Sequence, residues 1–223
     1  MTYRELLVEL EEKSDKKFAE FSKALSNSDY TVIGVKNPIL RELIKLHKND
    51  TELNISDFEV GIILEVDFIY FGLGLTRIKT SKEKLDFLRK NIKFAKSWAI
   101  TDTINSYFKT VSFDEFWEFF LYGYKSQFIY ERRMVYVLAL KLYKENKILD
   151  VLPYLQTNED YIVMMAEAWL LATTAICYPN EIYDYLKTIN DPVLIRKTIS
   201  KMRESFRIDE KVKKQFIELR KNL

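Results

Sequence analysis

The sequence is poor in the residues that build metal centres and disulfides. It contains one cysteine, Cys177, and one histidine, His47, among 223 residues. A single cysteine excludes an internal disulfide and a cysteine-based zinc site, and a single histidine excludes a histidine-rich metal site. We therefore expect no metal or other cofactor. Cys177 stands in an apolar run and is expected to be a reduced core residue.

Turn-forming residues and long apolar runs are also scarce. The chain has only 5 glycines and 4 prolines, which favours long helices with short connections over a sandwich or barrel. No charge-free apolar run reaches transmembrane length, and acidic residues interrupt the N-terminal stretch at once, unlike a signal peptide. We expect a monomeric, cytoplasmic protein with no membrane contact.

The apolar residues that remain follow the spacing of helices. They make up 48% of the chain, which is enough for a sizeable core in one domain over residues 1–223. About a dozen helical segments recur at intervals of roughly 15 to 20 residues, and no strand alternation is evident. This pattern predicts an all-α fold, an α-solenoid of HEAT-like helix pairs whose concave face is the binding surface.

Local signals place several helix ends. Pro38 suits the first turn of a helix that runs to about His47. Another helix is expected to begin near Asn54, with an apolar periodicity that reaches Val66. Gly72 lies in an apolar helix, where glycine allows a neighbouring helix to approach closely.

Charge is nearly balanced overall but is unevenly distributed. The net charge is +2. Residues 50–67 carry six acidic and no basic side chains, residues 77–96 carry eight basic against two acidic, and residues 196–221 carry ten basic against four acidic. The two basic segments could bind a phosphate backbone, or they could be ordinary solubilising surface.

Trp98 and Asp102 are the pair most typical of a functional site. Their i, i+4 spacing puts an indole and a carboxylate on one helix face. An aromatic ring beside a carboxylate suits a cationic ligand. The alternative is a core tryptophan next to a solvated aspartate.

Other candidate side chains lie on separate predicted helices. Arg132 and Arg133 head an apolar helix, where a charge needs a partner or a ligand. Trp169 stands near the middle of a long apolar helix from Asp160 to Tyr178. Arg41, early in the chain, could reach a phosphate or simply water.

Five stretches, taken in order, resemble the AlkD-like family of DNA alkylation-repair proteins. They are Gly34-Val35-Lys36-Asn37-Pro38-Ile39-Leu40-Arg41, Ser97-Trp98 with Asp102, Arg133 at the head of its helix, Ala166-Glu167-Ala168-Trp169-Leu170, and the segment from Ile199 to Arg207. The resemblance covers essentially the whole chain. It implies an α-solenoid of HEAT-like repeats with a concave, basic face that binds double-stranded, alkylated DNA.

The resemblance also implies an activity and roles for individual residues. The activity is excision of cationic purines such as 3-methyladenine and 7-methylguanine, without flipping of the base. Trp98 and Trp169 would contact the lesion nucleotide, and Asp102 would stabilise the developing oxocarbenium sugar or orient water. Arg133, and Arg41 in the first motif, would bind backbone phosphates.

Three functions remain open from the sequence. The first is a DNA N-glycosylase, a hydrolase of the N-glycosyl bond. The second is a weak or inactive DNA-binding paralogue from the shorter branch that lacks the minor-groove helix, favoured by the short stretch before Gly34 and by Ala172, where active relatives tend to carry a basic residue. The third is a HEAT-like scaffold for an acidic protein partner.

Overall fold

The computed structural model describes residues 1–26, 29–155 and 160–221, and the regular elements within these ranges are helices joined by loops. They contain no strand, only an isolated bridge between Thr31 and Ile63. Successive helices pack against each other in pairs, which is consistent with an α-solenoid, so the predicted all-α class is confirmed. None of the described helices is long and apolar enough to span a bilayer.

The chain divides into two compact units, Met1–Lys109 and Thr110–Leu223. The first unit contains α1 (Tyr3–Glu12), α2 (Lys16–Ser26), α3 (Asn37–His47), α4 (Leu64–Arg77), α5 (Ser81–Asn91) and α6 (Trp98–Ile104), with short 3-10 turns at Ile55–Asp57, Ile92–Phe94 and Asn105–Tyr107. Helix α4 is its centre, because α3, α5 and α6 all pack on α4. The helix expected from Pro38 to about His47 is confirmed as α3.

The second unit is also built around one central helix, α9. It contains α7 (Phe113–Gly123), α8 (Ile129–Ala139), α9 (Tyr161–Thr174), α10 (Pro179–Thr188), α11 (Pro192–Glu204) and α12 (Glu210–Lys221), with 3-10 segments at Leu140–Leu142 and Asn146–Tyr154. Helix α9 is apolar on almost every side because α8 and α11 pack against it. That residues 1–223 form a single domain stays a prediction.

A close helix contact in the first unit depends on glycine. A Cβ atom built on Gly72 of α4 would lie 2.2 Å from Cδ1 of Ile44, which belongs to α3. That distance is far shorter than a van der Waals contact, so a larger residue would require the Ile44 side chain or the helix itself to shift. The predicted role of Gly72 in close helix approach is confirmed.

The prediction of a helix that begins near Asn54 is wrong. Only one 3-10 turn forms there, and α4 begins ten residues later at Leu64. Gly61 interrupts the pattern, since its φ of 88° lies in the left-handed region, and its amide donates to the Asp67 carboxylate at 2.9 Å. The apolar spacing in this segment reflects residues that pack from a loop.

Two expectations in the second unit also need correction. Helix α9 ends at Thr174 rather than near Tyr178. Cys177 therefore falls in the turn after the helix, where it is exposed instead of forming part of the core. The apolar neighbours that suggested burial are a poor guide where the chain leaves a helix.

Candidate functional site

Helix α6 carries the Trp98 and Asp102 pair. The Ser97 hydroxyl caps the helix by accepting a hydrogen bond from the Ala99 amide at 3.2 Å. Between the pair, Ile100 and Thr101 are buried, whereas Trp98 and Asp102 are both partly exposed. One side of this short helix therefore joins the core, and the other presents an indole and a carboxylate one turn apart.

Trp98 lines a cleft of about 310 Å³ in the first unit. Its opposite wall comes from α2 and includes Phe18, Phe21 and Leu25, of which Phe21 and Leu25 are more than half exposed. Asn37 and Ser97 supply polar groups at its edge. An aromatic cleft with a few polar groups suits a planar ring.

Arg41 reaches the same helix from α3. Its Nη2 donates to the Thr103 hydroxyl at 3.3 Å, while the residue as a whole stays exposed. Burial raises the pKa of the nearby Tyr107 phenol to about 12, and the positive charge of Arg41 opposes that rise. The structure thus brings together three of the predicted site residues, Trp98, Asp102 and Arg41, around α6.

The segment that leads into α6 is held by a buried carboxylate that sequence reasoning missed. Asp67 of α4 is 0% exposed and accepts a 2.6 Å hydrogen bond from the Tyr30 hydroxyl. The same hydroxyl accepts from the amide of Lys96, two residues before Trp98, at 3.1 Å. Burial raises the pKa of Asp67 to about 6, although the hydrogen bonds from Tyr30 and Gly61 and the charge of Lys96 oppose the rise.

A second buried carboxylate of α4 holds the start of α3. Glu65, 1% exposed, accepts hydrogen bonds from the amides of Ile33, Gly34 and Val35 at 3.0, 2.7 and 3.2 Å. Gly34 has a φ of 101°, and a Cβ atom there would lie 2.4 Å from the carbonyl oxygen of Asp15. The glycine that opens the first motif is therefore required by geometry, and it sets the direction of the helix that carries Arg41.

The sequence contained a signal that both carboxylates would need a buried partner. Glu65 and Asp67 stand three and one residues before an apolar run, so each needed a partner once that run was buried. The partners themselves, Tyr30 and the amides at 33–35, lie about 30 residues or more away along the chain.

In the second unit, Arg133 lies inside the helix packing. The residue is 3% exposed, and its Nη1 donates to the carbonyl oxygen of Ile162, in the first turn of α9, at 2.7 Å. Its neighbour Arg132 pairs with Asp160 and donates to the Ser126 carbonyl at 2.6 Å. Both charges have protein partners, and binding of a phosphate by Arg133 stays a prediction.

Trp169 lies two turns further along α9 and is partly exposed. It lines an open cleft of about 440 Å³ together with Ala172, also of α9. The far wall is formed by the end of α11 and the turn after it, including Lys201, Glu204 and Arg207. An indole therefore faces a mainly cationic wall.

Within the part of the chain that the structure describes, no three His, Cys, Asp or Glu side chains are grouped so as to hold a metal ion.

The comparison with protein families agrees with the resemblance that the motifs indicate. No curated protein and no solved structure is significantly similar to the chain. The family model described as DNA alkylation repair enzyme matches residues 6–206, a range that includes both clefts apart from Arg207. A match over nearly the whole chain shows membership, and DNA is the partner that such membership implies. The chain belongs to the DNA alkylation repair enzyme family.

Proposed function

We propose that the protein is a DNA N-glycosylase that releases cationic alkylpurines, such as 3-methyladenine and 7-methylguanine, from double-stranded DNA. It would act as a cytoplasmic monomer, without flipping the base and without a cofactor. The observation that carries the proposal is the partly exposed Trp98 and Asp102 pair on α6, with Arg41 anchored to the same helix. Family membership supports repair of alkylated DNA in general.

The chemistry requires little from the protein. A purine alkylated on a ring nitrogen is positively charged, so the electron pair of the broken C1′–N bond leaves with the base and cancels that charge. The sugar becomes an oxocarbenium ion, which the Asp102 carboxylate stabilises by its charge. Water then bonds to C1′ and loses a proton to Asp102 or to solvent. Because the leaving group is good, no strong general acid is needed.

The aromatic side chains would recognise the substrate by its charge. Trp98 offers a π face within one helix turn of Asp102, and a cationic ring is attracted to both. Trp169 would contact the lesion nucleotide through its own π face. A neutral purine lacks this attraction and is also a poorer leaving group, so selectivity for the alkylated base follows from both effects.

Release of methylated bases tests the proposal. With methylated duplex DNA and excess protein, we expect slow release of 7-methylguanine or 3-methyladenine. Asp102→Asn should lower the single-turnover rate by about 100-fold or more, while DNA affinity changes little, because the carboxylate acts on the transition state.

Asp86→Asn provides the matched control. It makes the same chemical change at an exposed position of α5, and it should leave the rate unchanged. Full activity of Asp102→Asn would remove the carboxylate from the mechanism. DNA binding by the wild-type protein with no release of either base would identify it as a non-catalytic DNA-binding paralogue. Absence of DNA binding at low salt would favour the scaffold function.

A further inference from the structure

The turn after α11 displays a side chain that folding does not explain. Phe206 is fully exposed, whereas Ile208, two residues later, is 5% exposed and anchors the turn to the core. The Ser205 amide donates to the Met202 carbonyl at 3.2 Å, and the Ser205 hydroxyl accepts from the Arg207 amide at 3.2 Å. A turn of defined geometry thus holds the Phe206 ring in solvent, where the ring makes no contribution to the core.

Positive charge surrounds the exposed ring. From Arg196 to Arg207 the chain carries five basic residues and one acidic residue, Glu204. The guanidinium of Arg207 lies 5.3 Å from the centre of the Tyr143 ring, which fixes its position beside the turn. Lys201 lies on the same wall, although its ammonium forms a 3.0 Å ion pair with Glu204.

This wall faces Trp169 across the cleft of about 440 Å³. The lining of the cleft therefore contains two aromatic side chains, Trp169 and Phe206, together with the cations of Lys201 and Arg207. Stacking rings combined with cations are the two elements that bind a nucleic-acid strand, since bases and sugars pack on the rings and phosphates pair with the cations. An acidic protein segment would use the cations but would leave the rings unused.

We propose that this cleft of the second unit binds a DNA strand, with Phe206 packed against a base or sugar and with Arg207 and Lys201 on the adjoining phosphates. Phe206, Arg207 and Lys201 thereby extend the proposed contact of Trp169 with DNA along the strand, and Glu204 weakens that contact. The inference rests on the DNA-binding part of the proposed function and does not depend on catalysis.

Binding of a short fluorescein-labelled, undamaged duplex over a series of salt concentrations tests the site. Arg207→Ala should weaken binding about fivefold and should reduce the slope of log affinity against log salt by about one, because one phosphate contact is lost. Phe206→Ser should weaken binding about fivefold or more at every salt concentration and leave the slope unchanged, because stacking involves no counterion. Glu204→Gln should tighten binding about twofold, since it removes the one acidic group on the wall.

Arg203→Ala is the matched control for charge. Arg203 is exposed near the end of α11 but does not line the cleft, so its loss should alter the slope by less than half as much as Arg207→Ala does. All these side chains except that of Lys201 are exposed, and the melting temperatures of the variants should match the wild type.

Failure of the site can be separated from failure of the proposed function. Unchanged affinity and slope in both Phe206→Ser and Arg207→Ala, with normal binding and base release by the wild type, would overturn the strand-binding site alone. Loss with Arg207→Ala but not with Phe206→Ser, together with equal competition by polyglutamate, would identify a charge-only surface for an acidic partner. No DNA binding by the wild type would overturn both.

Discussion

Each unit uses one buried charge to hold the helix that carries its tryptophan, but the two charges have opposite sign. In the first unit, the Asp67 carboxylate binds Tyr30, which in turn binds the segment before Trp98. In the second unit, the Arg133 guanidinium binds the first turn of the Trp169 helix through Ile162. Both charges are at most 3% exposed.

The difference in sign has a chemical consequence. The support in the second unit is a hydrogen bond that a guanidinium donates to a backbone carbonyl. Burial raises the pKa of Asp67 to about 6, so the support in the first unit changes its charge close to neutral pH. Of these two supports, the one expected to respond to pH is therefore the Asp67 support of the Trp98 region.

The largest expected effect comes from removing the buried cation. Arg133→Ala should lower the free energy of unfolding by about 3 kcal/mol, because a buried carbonyl loses its donor and a cavity remains. Urea unfolding measures this change. Arg41→Ala, at an exposed arginine, is the matched control and should change stability by less than about 0.5 kcal/mol.

DNA binding by the same Arg133→Ala variant sharpens the comparison. If Arg133 binds a backbone phosphate, affinity should fall on every sequence alike, because a phosphate contact carries no base information. Weaker DNA binding at unchanged stability would show that the guanidinium turns toward DNA, and the contrast of two structural charges would then be broken.

A smaller effect, from Asp67 of the first unit, is expected on the pH dependence of stability. The folded pKa of Asp67, about 6, lies above the ordinary value of 3.8, so the folded state holds this proton more tightly than the unfolded state. Stability from this group is therefore greatest below pH 3.8 and falls as the pH rises through 6. Between about pH 5 and pH 7.5, the loss should be about 1.4 kcal/mol.

The comparison of wild type with Asp67→Asn isolates that contribution, since asparagine does not titrate. Urea unfolding of both proteins at the two pH values gives the difference. Glu131 has a pKa raised by burial and adds a change of the same sign to both proteins, so it cancels. An equal pH dependence in the two proteins would contradict the raised pKa.

The smallest effect concerns Arg41, an exposed arginine of the first unit. Arg41→Ala should leave stability nearly unchanged and should reduce the salt slope of DNA binding by about one, if Arg41 meets a phosphate. Lys45→Ala, one turn later on α3 and also exposed, is the control for loss of charge. Equal slopes for Arg41→Ala and wild type would reduce Arg41 to its contact with Thr103.

Local sequence signals predicted most of the helices because helix ends depend on nearby residues. Pro38 marked the start of α3, and a capping box of Ser112 and Glu115 begins α7. The error near Asn54 has a different origin. The turn at Gly61 is fixed by the side chain of Asp67, a tertiary contact that apolar periodicity does not register.

The candidate site was predictable in its residues but not in their surroundings. Spacing alone placed Trp98 and Asp102 on one helix side, and α6 has them there. The sequence also indicated that Arg133 needs a partner, but it could not choose between a phosphate and the Ile162 carbonyl. That choice depends on how α8 and α9 pack, which involves residues 29 positions apart.

The hydrogen bonds between Glu65 and the loop before α3 have a consequence for motion on the timescale of minutes and longer. Amides in a connecting loop normally exchange their hydrogens with solvent quickly, because small fluctuations expose them. The amides of Ile33, Gly34 and Val35 are instead bonded to a carboxylate that is 1% exposed. Hydrogen exchange at these amides requires α4 to separate from the loop. The loop that leads into α3, the helix of Arg41, should therefore open only when the first unit opens as a whole.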